Sequence, residues 1–327
     1  MRSIVRSLAG VFLVGLSALL ASAPAHADAY PSKPIRLVVP WPTGTPGDVA
    51  GRIVAERMAA TLGQPIVVDN KPGASGTIGM ADALRQPADG YTVYLLAAPA
   101  TLVAPLLLPG HKVEVQKSLD PVGLMVWSYN VLVTGASAPY RKPQDIVAAA
   151  KARPGTLSFP SGGNGTPAHL AGELFKQKTG AQAVHVPYNQ FPMAITDMVS
   201  GRLDFMFLTS AAAIPQIAGG KLRALGVSGT KRLKALPDVP TMIEQGYPEV
   251  VVRSFEMMSV RQGTPPAVVE KLNAALNAAV RDPAVKEKLD VLGLETDPMT
   301  PEQARKTLAS EQSALLDFAR SISLKAE

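Results

Sequence analysis

The sequence contains no cysteine. That excludes a disulfide framework, a thiolate zinc or iron–sulfur site, a cysteine nucleophile and a lipidated N-terminal cysteine. Aromatic residues are sparse, 5% of 327 positions with two tryptophans, and the charge excess is small, 32 Lys plus Arg against 26 Asp plus Glu. No Lys/Arg stripe with interleaved aromatics occurs, so nucleic acid is not an expected partner. HExxH, GxSxG and a P-loop lysine are all missing, which leaves enzyme constellations thin. What the chain has in quantity is apolar side chains, 47% against 18% charged, enough to bury a core and to exclude disorder. The length suits about two domains of roughly 100–200 residues each.

The N-terminus reads as a cleavable export signal over residues 1–27. Arg2 and Arg6 precede an uncharged stretch, residues 8–20, and Ala25-His26-Ala27 supplies a small-x-small cleavage site. The apolar stretch falls short of the roughly 20 residues that a membrane span needs. Cleavage after Ala27 leaves residues 28–327 with a net charge of +4. A second uncharged stretch runs from Asp89 to Lys112, but Pro99, Pro105 and Pro109 interrupt it. It reads as a strand over 91–97 followed by an apolar loop or short helix, because a span there would be poorly hydrogen-bonded.

Short β-branched runs then alternate with helical patterns. Strands are expected at 35–39, 66–68 and 91–97, with helices from Asp48 to Gly63 and over 77–86 between them. The middle of the chain repeats this grammar, with helices at 143–152, 167–180 and 193–200. Its strands are expected at 156–159, 183–186, 204–208 and 222–227. Strand, helix and strand joined by short loops predict a parallel sheet with right-handed crossovers. The last quarter is mainly helical, at 265–281, 283–292 and 301–320. It has too few strands to stand alone and is expected to return to the first domain. The expected division is 28–126 plus 249–327 for a discontinuous first domain and 127–248 for the second.

Two loops follow a strand, are rich in Gly and hydroxyls, and open a helix: Pro42-Thr43-Gly44-Thr45-Pro46-Gly47 and residues 161–166. A helix N-terminus offers unpaired N–H groups and a partial positive charge, so such loops can hold a carboxylate or phosphate without a lysine. Ordinary βα turns with good caps are the alternative. Gly163-Asn164-Gly165-Thr166-Pro167-Ala168 also matches G-x-G-x-x-A. The next strand, however, ends in Val186-Pro187-Tyr188 with no acidic residue for a ribose, so a dinucleotide is not expected. His169 could donate to a ligand or pack within its helix, and Asp204 could fasten a loop or face a cleft. Trp41, Tyr188 and Phe191 stand at strand-to-loop junctions, where core packing is the alternative.

At these same residues the chain resembles the periplasmic solute-binding proteins of the tripartite tricarboxylate transporter type, the Bordetella uptake gene group. The likeness is carried by Tyr30-Pro31-Ser32-Lys33-Pro34-Ile35-Arg36, Asn70-Lys71-Pro72-Gly73-Ala74, Gly163-Asn164-Gly165-Thr166, His169-Leu170-Ala171-Gly172-Glu173 and His185-Val186-Pro187-Tyr188. Leu236-Pro237-Asp238-Val239-Pro240-Thr241 and Gly263-Thr264-Pro265 extend it. The resemblance implies an α/β fold of type II binding-protein form. Each of its two domains is a mostly parallel sheet flanked by helices, and a small carboxylate is held in the cleft between them. It implies a binding role without catalysis, no cofactor or metal, a monomer in the periplasm, and the membrane subunits of a transporter or a signalling receptor as partners. An exported hydrolase using His169 or Asp204 is the rival from another class. The ligand-binding candidates are Trp41, Thr43, Gly44, Thr45, Ser161, Asn164, Gly165, Thr166, His169, Tyr188, Phe191 and Asp204. Two departures from the family bear on the ligand: Thr45 stands where a second glycine is usual, and Asn189-Gln190-Phe191 stands where Lys-Gly-Gly is usual. A lost cation and an added aromatic favour a ligand with an apolar or aromatic body.

Overall fold

Strand β1 (Ile35–Val39) runs into a Pro/Gly/Thr loop, and α1 (Pro46–Leu62) follows it. Pro46 at the first helical position pre-sets the backbone for a helix, and Gly63 ends it at φ 70°, a left-handed conformation that favours glycine. The computed structural model describes residues 30–107, 114–188, 191–322 and 324; the expected signal peptide lies outside them. Residues 33–327 form one unit, distinct from 1–32, and the account below concerns that unit.

The first part continues through β2 (Ile66–Asn70), a 3-10 turn at Ala74–Gly76, α2 (Thr77–Leu84) and β3 (Thr92–Ala98). β1 pairs in parallel with both β2 and β3. The uncharged stretch after Asp89 becomes β3 and α3 (Ala100–Leu107), and its last residues lie outside the described set. No helix among the described residues is long and apolar enough to cross a membrane.

After α4 (Val115–Ser118) comes β4 (Leu119–Gly135), a strand of 17 residues, fully buried at all but two positions. The second part follows as α5 (Pro143–Ala152), β5 (Leu157–Ser161), α6 (Pro167–Thr179), β6 (Ala183–Pro187), α7 (Phe191–Val199), β7 (Met206–Thr209), α8 (Ser210–Ala218) and β8 (Leu222–Val227). The chain then returns through β9 (Arg253–Arg261), α9 (Pro266–Arg281), α10 (Pro283–Val291), β10 (Leu294–Glu295) and α11 (Pro301–Ser321).

The principal sheet has the order β10-β4-β9-β3-β1-β2, with β7 and β8 also on β4. β4 serves two sets of partners. From Leu119 to Tyr129 it pairs with β9, and from Asn130 to Gly135 with β7 and β8. The partner change therefore falls between Tyr129 and Asn130, and the return falls at Arg253, which lies opposite Tyr129. The α/β class expected from the sequence is the class observed. The sheets are mixed rather than mostly parallel, because β4 and β9 run antiparallel to each other and β9 is antiparallel to β3. β7, β8 and β10 are antiparallel to β4 as well.

Two cores hold the halves. Tyr94, Leu96, Leu124, Phe255 and Met257 centre the first, where β3, β9 and β4 lie side by side. Phe159, Phe175, Phe205 and Phe207 fill the second, each fully buried. Full burial of one such ring stabilises the fold by about 1.5–3 kcal/mol. Asp204 stands before β7 rather than in it, because its carboxylate accepts from Ser158 N at 2.8 Å and from Tyr140 Oη at 3.1 Å, which fastens the turn to β5.

Candidate ligand-binding site

Three helices begin around one cavity of about 380 Å³. Thr45-Pro46-Gly47 of α1, Thr166-Pro167-Ala168 of α6, and Thr209 with Ala211 and Ala212 of α8 all line it. Each helix starts after a threonine in the N-cap position, and in none of the three does that side chain cap the helix. The first-turn N–H groups are thus left without their usual side-chain acceptor, at the positive end of the helix dipole. Trp41, Ala97, Ala98, Phe255 and Leu294 supply apolar walls, and Ser128, Ser254 and Glu256 the remaining polar ones. The volume falls at the small end of ligand pockets, roughly 300–1,000 Å³. A larger opening of about 820 Å³ lies among α3, α4 and α11, away from these helix starts.

The first loop is held from behind. Asp48 in the first turn of α1 accepts from Gly44 N at 2.8 Å, Asn70 Nδ2 at 2.9 Å and Arg52 Nε at 3.0 Å. Burial would raise its pKa, but the bonds from Arg52, Gly44 and Asn70 outweigh this and hold its carboxyl below the usual range. Asn70 also donates to Trp41 O at 2.8 Å and accepts from Thr43 Oγ1 at 3.1 Å.

The second loop is held by its own hydroxyls and two stacked imidazoles. Thr166 Oγ1 donates to Gly163 O at 2.7 Å, and Ser161 Oγ lies 2.6 Å from His185 Nε2. His169 Nδ1 accepts from Gly165 N at 3.1 Å, and its ring stacks on His185 with centroids 4.1 Å apart. Burial, then His185 and Lys176, push the His169 pKa down to about 3, so the ring is neutral.

Of the sequence-derived candidates, Trp41, Thr45 and Thr166 line the cavity. Thr43, Gly44, Asn164 and Gly165 belong to the two loops, Ser161 ends β5 and His169 stands in the first turn of α6, all outside the lining. Tyr188 donates to Asp197 at 2.7 Å, outside the lining, and Asp204 is engaged with Ser158 and Tyr140. Phe191 opens α7; its side chain lies outside the described set. Gly165 faces α3: a Cβ there would stand 2.5 Å from Leu107 and 2.8 Å from Val103, at φ +74°. Gly165→Ala should therefore destabilise the fold by about 1–3 kcal/mol, read by urea unfolding. Unaltered stability would show that this loop yields freely. The sequence reading missed the α8 terminus, Ser254 and Glu256. The only signal for Glu256 was a lone acid within the apolar run Ser254-Phe255-Glu256-Met257-Met258.

The family model described as "Tripartite tricarboxylate transporter family receptor" matches residues 50–317. The chain belongs to the tripartite tricarboxylate transporter receptor family. The family consists of periplasmic solute-binding proteins rather than enzymes, so the hydrolase alternative is set aside. Protein BugT of Bordetella pertussis is 36% identical over 291 residues, 89% of each chain. The solved periplasmic binding protein BugD is 31% identical with a TM-score of 0.79, over 91% of this chain and 100% of that one. An R. palustris protein solved with adipate is 27% identical with a TM-score of 0.83, again over 91% and 100%. Membership bears out the resemblance drawn from the motifs.

Proposed function

We propose that this receptor captures a small carboxylate in the cavity at Trp41, Thr45 and Thr166 and delivers it to the membrane subunits of a tripartite tricarboxylate-type transporter. The observation that carries the reading is the convergence of three helix N-termini, each begun by a threonine that does not cap it, on one largely apolar cavity. Adipate in a relative makes a carboxylate with an apolar stem a suitable first probe. In this reading the protein works as a periplasmic monomer after cleavage behind Ala27. Its closing domains are 28–126 plus 249–327 and 127–248, and the flexing segment is the stretch of β4 and β9 where Tyr129 meets Arg253. The second loop shapes the site and the first carries the aromatic wall.

Calorimetric titration of refolded, ligand-free protein with aliphatic and aromatic carboxylates is the test. Half-buried Trp41 lines the cavity, whereas Trp127 is buried against Phe255 with Arg253 over its ring. A bound carboxylate should change intrinsic emission saturably with the calorimetric Kd, and Trp41→Phe should remove most of that change. A screen in which no carboxylate binds would overturn the reading.

A further inference from the structure

The cavity is electrically one-sided. Neither α6 nor α8 has an acidic residue in its first turn, so their N-termini offer a plain positive end. The α1 side is different: Asp48 stands in the first turn, and the Glu256 carboxyl packs against Gly47, where an added methyl would collide with Oε1. Asp48 is fully engaged by Arg52, Gly44 and Asn70. Glu256 is not. Its Oε2 is sealed from solvent with no hydrogen-bond partner, and among the described residues lining the cavity it is the one titratable side chain. Two residues earlier on the same face of β9, the buried Ser254 Oγ also has no partner. Buried polar atoms are ordinarily hydrogen-bonded. Two unpartnered ones, side by side on the wall of a cavity, mark a place where a ligand group completes the bonding.

Building on the carboxylate reading, we propose that Glu256 sets the specificity of the cavity by receiving a ligand's ammonium group. The ligand is then a small amino carboxylate, its carboxylate at the α6 and α8 termini, its apolar stem along Trp41, and its ammonium between Glu256 and Ser254. A second carboxylate at that end would face an unpaired acid across a water-poor wall and be repelled. An ammonium supplies the missing counter-charge and up to three donors.

The test is calorimetry at about pH 8, above the value of about 7 to which burial pushes the Glu256 carboxyl, so that it is ionised. The probes are matched pairs: ω-amino carboxylates of four to eight carbons against dicarboxylates of equal length, and 4-(aminomethyl)benzoate against terephthalate. Wild type should favour the amino member of its best pair by about ten-fold or more, and Glu256→Gln should cut that preference to about three-fold or less. Glu256→Ala repeats the comparison should the amide misfold, judged by circular dichroism. A wild-type preference for the dicarboxylate, or a preference untouched in the variants, overturns the proposal and leaves carboxylate capture intact. So does a wider screen whose one ligand carries no N–H donor. A wild type that binds no carboxylate at all removes both readings.

Discussion

As the pH falls from 7 to 3, His169→Asn should gain about 4 kcal/mol in stability relative to wild type. The wild-type ring has its pKa driven by burial, and by His185 and Lys176, from 6.5 down to about 3. Nδ1 is committed as the acceptor for Gly165 N, a bond that protonation there would remove. The folded state therefore stays neutral while the unfolded chain takes up a proton below pH 6.5, and stability is lost between that value and about 3. Asparagine keeps an acceptor near the Nδ1 position but does not titrate. Its lost stacking on His185 lowers stability at neutral pH, so the readout is the convergence of two urea-unfolding curves with falling pH. Curves that stay parallel would place His169 in contact with water.

Glu256→Gln should act in the opposite pH range. Burial raises the carboxyl pKa from 4.5 to about 7, so between these values the folded state binds more protons than the unfolded one. Wild-type stability then falls as pH rises through that window and stays low above it. The amide avoids the cost, and at pH 8 it should be the more stable protein by up to about 3 kcal/mol, an advantage that vanishes below pH 4.5. Equal pH dependence in the two proteins would mean that water in the open cavity solvates the carboxylate. A wall residue that lowers stability where glutamine would not is expected at a site shaped for a ligand.

The elements with local punctuation were legible. α1, α5 and α6 announce themselves through a proline at the first helical position, and α1 and α6 also through a left-handed glycine at the end. β4 is not, although the sequence predicts a domain crossing near Val126, within it. Buried on both faces, it shows no alternation, and its partners are up to well over a hundred residues away in sequence. α8 carries Pro215 in its interior, which reads as a break. The same distinction separates the site residues. Thr45 and Thr166 sit in loops whose composition advertises a helix start. Glu256 reaches the cavity only because β9 inserts beside β3, opposite Ala97, a pairing with no local trace.

That insertion has a consequence in time. β9 lies between β3 and β4, yet it is synthesised long after both. Until residue 253 has left the ribosome, β3 and β4 each present an open edge, which a second strand from another chain could occupy. The first half cannot complete its sheet early, and a product broken off before Arg253 would be prone to aggregate rather than fold as a fragment. Completion of this sheet is deferred by topology to the last quarter of synthesis, when β9 becomes available to close both open edges at once.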